Sequence, residues 1–172
     1  MMVSTTSRWA PIFVAAIAVA VAGCDGKPKA DQPAAKADDG SVLSPYLAIA
    51  ETLAQDSVEG LSESAARVTA AAKTQKTEAG MAVMLESAGT VGTADIAAAR
   101  TAFKTMSAGM IEYMRAHPDK QAGHILVHCT MTFEGNGGRW VQPKGKVMNP
   151  YEGAMMLHCG DVLDWAAELP ET

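Results

Sequence analysis

The chain has 172 residues, a net charge of −5 and only 5% aromatic residues. An acidic chain of this kind lacks the basic surface that nucleic-acid binding requires, so a nucleic-acid partner is excluded. The length suits one folded domain besides the N-terminal segment, and the alanine-rich, aromatic-poor composition predicts closely packed helices.

The N-terminal residues have the pattern of an export signal. A short basic start, residues 1–8, precedes an unbroken apolar run, PIFVAAIAVAVA, at residues 11–22. That run is too short to span a bilayer comfortably and ends in small residues, which is typical of a secretory signal peptide and not of a transmembrane helix. We therefore expect residues 1–23 to be a signal peptide.

The tetrapeptide V-A-G-C, residues 21–24, resembles a bacterial lipobox, in which the cysteine carries the lipid. An ordinary signal with an incidental cysteine is the alternative. A lipid on Cys24 would hold the mature protein on a membrane, because each buried methylene contributes roughly 0.8 kcal/mol. Asp25 resembles an inner-membrane retention signal, which favours the periplasmic side of the inner membrane.

The next segment has no large apolar residues with which to build a core. It reads DGKPKADQPAAKADDGS at residues 25–41, and charged residues, Pro, Ala and Gly dominate it. Such a composition is typical of disordered chain. We expect residues 24–41 to be a lipidated flexible tether and residues 42–172 to be a single folded domain.

The first part of the domain shows apolar residues at helical spacing in three consecutive segments. Serine followed by proline is a typical helix start, and glycine is a typical break between helices. The first helix is expected to start at Ser44-Pro45 and to end before Gly60. Ser62 is expected to cap the second helix. The third helical segment is expected at residues 77–88, with Gly89 and Gly92 at its end.

A fourth segment has the clearest helical pattern, from Ala94 to about His117. Thr93 is expected to cap its start, and Pro118 prevents its continuation. His117 is expected to serve the C-terminus of this helix, where a cation is favoured by the helix dipole. Three methionines on its apolar stripe are predicted to be core residues: Met106, Met110 and Met114.

From His124 onward the pattern is typical of strands and turns. We expect a strand at residues 124–133, a turn at residues 134–138 and a short returning strand at residues 139–142. A long irregular loop follows, and DVLDWAAEL, residues 161–169, predicts a short closing helix. The predicted fold is mainly α: a three- or four-helix bundle followed by a small irregular β/loop motif at residues 124–163.

Two cysteines, Cys129 and Cys159, lie in this C-terminal motif. Exported proteins usually join such a pair as a disulfide. Here the disulfide would close a loop of about thirty residues and contribute on the order of 3 kcal/mol. On this interpretation the pair is a structural staple.

The stretches HCTMTF and MMLHCGD also place methionines close to both cysteines. Thiolate and thioether sulfur prefer Cu(I) and similarly soft ions. On a strand, Cys129 and Met131 would share a face, and a tight turn would align Met156 with Cys159. The predicted metal ligands are therefore Cys129, Met131, Met156 and Cys159. The second-rank candidates are His128, Met148, Met155 and His158.

Other interpretations of these residues stay open. Met131 and Met156 are equally compatible with roles as core fillers, and a zinc site with two Cys and two His ligands is possible, although the spacing does not match a zinc finger. A dithiol oxidoreductase would need a close C-x-x-C pair. Neither that pair nor a Ser-His-Asp order, a phosphate-binding glycine loop or HExxH occurs, so we predict that the protein is not an enzyme.

The segment HCTMTFEGNGGRWVQPKGKVMNPYEGAMMLHCGDV resembles a family of bacterial periplasmic domains described as heavy-metal-associated or of unknown function. The family signature is a Cys-Pro-Met triplet, a tryptophan, Asn-Pro-Tyr-x-Gly and Met-x-x-Cys-Gly. The corresponding elements here are Cys129 with Met131, Trp140, Asn149-Pro150-Tyr151 with Gly153, and Met156 with Cys159-Gly160. Thr130 stands where the family has proline, which leaves the backbone between the two sulfurs freer.

The resemblance implies a role in handling copper or silver, since members of that family are also fused to the adaptor subunit of copper and silver efflux pumps. We therefore expect a periplasmic lipoprotein that binds Cu(I) or Ag(I) and either buffers it or hands it to an efflux adaptor. The alternative is a disulfide-stapled structural or interaction module that binds no metal.

Overall fold

The computed structural model describes residues 40–93 and 95–169, which belong to one compact unit at Lys36–Thr172. The expected signal peptide at residues 1–23, Cys24 and the part of the tether before residue 40 lie outside the described residues. No helix among the described residues combines the length and the apolar character needed to cross a bilayer.

Four helices form the first part of the domain: α1 (Leu43–Ala54), α2 (Leu61–Thr74), α3 (Met81–Thr93) and α4 (Ile96–Ala116). Helix α3 packs against both α2 and α4, and α1 packs against α2. A short 3-10 turn, Pro118–Gln121, follows α4 because Pro118 cannot continue the helix. A small antiparallel sheet completes the domain, so the predicted mainly α fold with a C-terminal β/loop motif is confirmed.

The apolar stripes of the helices meet in one core. The rings of Tyr46 on α1 and Phe103 on α4 stack with their centroids 5.0 Å apart, and both side chains are fully buried. Five core methionines are also fully buried: Met81, Met84, Met106, Met110 and Met114. The prediction that the α4 methionines are core residues is therefore confirmed.

The predicted helix caps are mostly wrong. The hydroxyl of Ser41, and not that of Ser44, accepts the bond from Leu43 N–H at 3.2 Å. Gly60, with φ 78°, precedes α2 where Ser62 was the expected cap. Asp95 replaces Thr93 at the start of α4 and accepts bonds from the first-turn N–H groups of Ala97 and Ala98. Local propensity does not distinguish neighbouring cap residues, because Ser, Thr and Asp can all serve.

Gly89 and Gly92 do not end α3, because both lie inside it. A Cβ atom on Gly92 would lie 3.1 Å from the Cβ of Ala65 and 3.3 Å from the Cα of Ser62. The absence of a side chain therefore permits a close approach of α3 to α2. The packing between α2 and α3 offsets the modest loss of helix stability that glycine causes within a helix.

The sheet has three antiparallel strands, β1 (His124–Cys129), β2 (Gly138–Pro143) and β3 (Asp161–Leu163), in the order β2-β1-β3. The returning strand expected at residues 139–142 is confirmed within β2. The strand expected at residues 124–133 is too long, because β1 ends at Cys129. Residues 130–135 form a turn in which Phe133 and Glu134 have φ values of 53° and 58°.

The closing helix predicted at residues 161–169 is wrong. Residues 161–163 form β3, where Leu126 pairs with Leu163 and Val127 with Val162. The Asp164 carboxylate then accepts a bond from Ala166 N–H at 2.7 Å. Short-range bonds of this kind compete with helix formation, and the pairing with β1 supplies backbone bonds that a short isolated helix lacks.

The two faces of the sheet have different surroundings. Alternation along β1 and β2 places Cys129, Val127 and Trp140 on one face. Gly160, in the loop that precedes β3, lies against this face, where an added Cβ would be 2.6 Å from Val127 and 2.9 Å from Trp140. Helix α4 packs on β2, and Tyr46 of α1 accepts a bond from Val141 N–H at 3.1 Å. The loop of residues 144–160 and the helices thus enclose a buried sheet centre.

Candidate soft-metal site

The fold joins the two halves of the C-terminal motif through their cysteines. Cys129 is the last residue of β1 and Cys159 lies just before β3. Their Cα atoms are 5.8 Å apart, and the two side chains form a disulfide that spans 30 residues. Cys129 is 1% exposed, and Cys159 is partly buried against the core. The possible disulfide between these cysteines is therefore present in the structure.

Asn149 holds the loop that brings Cys159 to β1. Its side chain is fully buried. The amide nitrogen donates to the carbonyl oxygen of Cys159 at 3.2 Å, and the amide oxygen accepts from Tyr151 N–H at 2.9 Å. Its own backbone N–H donates to the carbonyl of Leu157 at 2.7 Å. One side chain therefore supports the Asn-Pro-Tyr turn and the segment that carries Cys159.

Gln142 and Trp140 support the same loop from β2. The Gln142 side-chain oxygen accepts bonds from Trp140 Nε1 and from Met148 N–H, each at 3.0 Å. The Gln142 amide nitrogen donates to the carbonyl of Lys146 at 3.0 Å. Trp140 is fully buried and lies against Gly160, next to Cys159 in the chain. The large Trp140 ring therefore packs over the segment next to Cys159, where the loop approaches β1.

A charged clamp attaches the loop to the helices. The Arg100 guanidinium on α4 contacts the Asp56 carboxylate at 2.6 Å and donates to the Pro150 carbonyl at 3.1 Å. Asp56 also accepts from Ala154 N–H at 2.8 Å. The bond from Ala154 and then the bond from Arg100 lower the pKa of Asp56 below its usual value. Gly153, with φ 52°, approaches Asp56 too closely for any Cβ.

The predicted methionine ligands occupy different positions around the disulfide. Met156 begins the tight turn in which Cys159 N–H donates to its carbonyl at 2.9 Å, and its side chain is half-buried. Met131 lies beyond the end of β1 and is 64% exposed. The expectation that Cys129 and Met131 share the face of one strand is therefore wrong. Met148 and Met155, the second-rank methionines, are also exposed.

The second-rank histidines have other partners. His128 is on β1, on the face opposite to Cys129, with Arg139 and Asp161 as its neighbours on β2 and β3. Burial and then the Arg139 charge lower the pKa of His128, while Asp161 acts in the opposite direction. His158 is exposed, and its Nδ1–H donates to the Val147 carbonyl at 2.7 Å. His128 therefore lies on the other face of β1 from Cys129, and the His158 ring is bonded to the backbone of Val147.

Within residues 40–93 and 95–169, no group of three His, Cys, Asp or Glu side chains could hold a metal ion. The methionine sulfurs near the cysteine pair are donors of the type that soft ions such as Cu(I) and Ag(I) prefer.

Several supporting residues were not identified from the sequence. Gln142, Asp56 and Arg100 carry bonds that hold the motif loop, and Asp56 lies 98 residues before its partner Ala154. No local pattern signals a contact over such a distance. The resemblance points to Asn149-Pro150-Tyr151 as part of the motif, but the buried bond from Asn149 to Cys159 depends on the tertiary fold.

Comparison with known proteins adds no relative: no family model, curated protein or solved structure matches this chain.

Proposed function

We propose that this protein is an exported, lipid-anchored binder of Cu(I) or Ag(I) whose site opens when the Cys129–Cys159 disulfide is reduced. The observation that carries the proposal is the convergence of both cysteines on one point, with Met156 a single turn from Cys159. Reduction by a dithiol would free two thiols at a Cα separation of 5.8 Å. Two thiolates and a thioether form a donor set that suits soft ions.

The other methionines of the motif suit uptake and release of the ion. Met131 and Met155 are 64% and 82% exposed, so their sulfurs are reachable from solvent. Thioethers bind soft ions less strongly than thiolates do, which allows a bound ion to move on to another protein. A lipid on Cys24 would confine this exchange to the membrane surface, where an efflux adaptor is the proposed recipient.

A second candidate function is a disulfide-stapled interaction module without metal. The bridged cysteine pair and the 1% exposure of Cys129 favour it, because a buried disulfide is a typical stabilising element of exported domains. In that case the disulfide persists in the native compartment, and the reduced protein has no special affinity for soft ions.

The two functions are separated by a Cu(I) competition titration of the full-length protein, reduced and anaerobic, against a chromogenic chelator. We expect one Cu(I) per chain, a loss of affinity of about a hundredfold or more in Cys129→Ser/Cys159→Ser, and a smaller loss in Met156→Leu. Met110→Leu, a core variant, is the matched control and should bind as the parent does.

Equal affinity of the parent and of the double serine variant would reject the metal function. Intact-mass measurement of protein purified without reductant from copper-supplemented cells gives the complementary result. A bound copper supports the metal function, whereas a copper-free chain that lacks two hydrogens supports the stapled module.

A further inference from the structure

Among the described residues, two groups of methionines have opposite surroundings, and the half-buried Met156 lies between these extremes. The five core methionines of the helices are fully buried, whereas Met131, Met148 and Met155 of the C-terminal motif are 64%, 37% and 82% exposed. Methionine is usually a core residue. We propose that Met131 and Met155 form a reversible oxidation site, at which both thioethers become sulfoxides while the domain stays folded.

Hydrogen-bonded turns, and not frayed chain ends, present these two side chains. Met131 lies in a turn in which the Thr132 hydroxyl donates to the Cys129 carbonyl at 3.2 Å and Gly137 N–H donates to the Thr132 carbonyl at 2.9 Å. Met155 follows Ala154, whose N–H donates to the Asp56 carboxylate at 2.8 Å. The exposure of both sulfurs is therefore a property of the native fold.

The chemistry needs an oxidant of the peroxide or hypohalous acid class. With hydrogen peroxide, the sulfur lone pair attacks one peroxide oxygen, an S–O bond forms and the O–O bond breaks. The leaving hydroxide takes the proton from the oxygen now bound to sulfur and becomes water, so sulfur is oxidised by two electrons to the sulfoxide and the peroxide is reduced. Cys129 and Cys159 are bridged, so within residues 40–93 and 95–169 the accessible thioethers are the most reactive sulfur groups.

The exposed positions also make the modification tolerable and reversible. A sulfoxide adds a polar oxygen, which at Met131 and Met155 remains in water and breaks no packing. The same oxygen on Met84 or Met110 would be forced into an apolar core with no partner. Methionine sulfoxide reductases reverse the step: two thiols of the reductase supply two electrons and two protons and become a disulfide, the sulfoxide oxygen leaves as water, and the thioether is restored. The reductases must reach the sulfur, and only the exposed positions allow this without unfolding.

The test is a time course of the folded full-length protein with limiting hydrogen peroxide, followed by peptide mapping by mass spectrometry. We expect Met131 and Met155 to oxidise at least about tenfold faster than the five core methionines, with Met148 in between. The urea midpoint of the doubly oxidised protein should equal that of the parent. The two methionine sulfoxide reductases should then restore both residues in the folded protein.

Met131→Leu/Met155→Leu should lack the fast phase, and the core variant Met110→Leu should retain it. The proposal is overturned by equal rates at exposed and core methionines, by unfolding of the oxidised protein, or by failure of the reductases on the folded protein. No metal takes part in the assay, so its outcome is independent of the proposed metal function.

Discussion

At the scale of single residues, a few buried polar side chains decide where the motif loop lies. Asn149 and Gln142 are both buried, and each joins segments that are separated in the chain. A buried amide is tolerated only when its donors and acceptors are satisfied. These residues therefore specify a single loop conformation, and the sulfur atoms take their positions from it.

Asn149→Ala should lower the free energy of unfolding by roughly 1–3 kcal/mol, because the buried N–H of Tyr151 would lose its acceptor. Urea denaturation followed by circular dichroism measures the change. Asn136→Ala is the matched control, since Asn136 is exposed and its side chain donates to the nearby Phe133 carbonyl; its change should stay within about 0.5 kcal/mol. Equal effects of both substitutions would contradict the role assigned to Asn149.

Asp56 should give the domain a distinct pH dependence. Its pKa is lower in the folded protein than the unfolded value of about 3.9. The stabilisation by Asp56 is therefore complete above that unfolded value and is lost as the pH falls through the folded pKa. We expect Asp56→Asn to be less stable than the parent at pH 7 and the difference to shrink at pH 3, as measured by thermal unfolding. A difference that is the same at both pH values would contradict the clamp.

At the scale of whole elements, close approaches at glycine determine how the helices pack. A Cβ atom on Gly109 of α4 would lie 2.6 Å from the Gly80 carbonyl oxygen and 2.9 Å from the Met84 side chain. Gly80 itself has φ 76° and precedes α3. The start of α3 thus rests directly on the backbone of α4.

Gly109→Ala should destabilise the domain by about 1–3 kcal/mol, because the added methyl has no space. Gly89→Ala in α3 is the matched control, since a Cβ there meets nothing within 4 Å. That substitution should stabilise the helix by about 0.5–1 kcal/mol. The chemical denaturation midpoints of the two variants should therefore shift in opposite directions relative to the parent. Shifts of the same sign would contradict this account of the α3–α4 contact.

At the scale of the whole molecule, the disulfide connects the sheet to the loop that covers it. It closes a loop of 30 residues, and the loss of chain entropy in the unfolded state is expected to stabilise the oxidised domain by roughly 3–4 kcal/mol. The proposed metal function requires the domain to remain folded without this bond. The helical core and the Asp56–Arg100 clamp are the features that would keep the reduced domain folded.

Reduction should lower the urea midpoint of the parent, and Cys129→Ala/Cys159→Ala should match the reduced parent while showing no response to reductant. The measurement is urea denaturation with and without dithiothreitol. A reduced protein that is unfolded in buffer would favour the stapled module over the metal function. A midpoint that does not respond to reductant would contradict the stabilising role of the bond.

The sequence by itself determined the helical fold class, the core role of the α4 methionines and the returning strand, because apolar periodicity reports burial directly. Tertiary contacts decided the helix caps, the end of β1 and the formation of β3 in place of a predicted helix. The sequence alone does not decide these features, since several local backbone conformations of the same segment have similar free energies. The cysteine count predicts the pairing of Cys129 with Cys159 as one of two alternatives. The exposure of Met131 and the Asp56–Arg100 clamp were decided by the tertiary structure, because they arise from contacts between segments far apart in the chain.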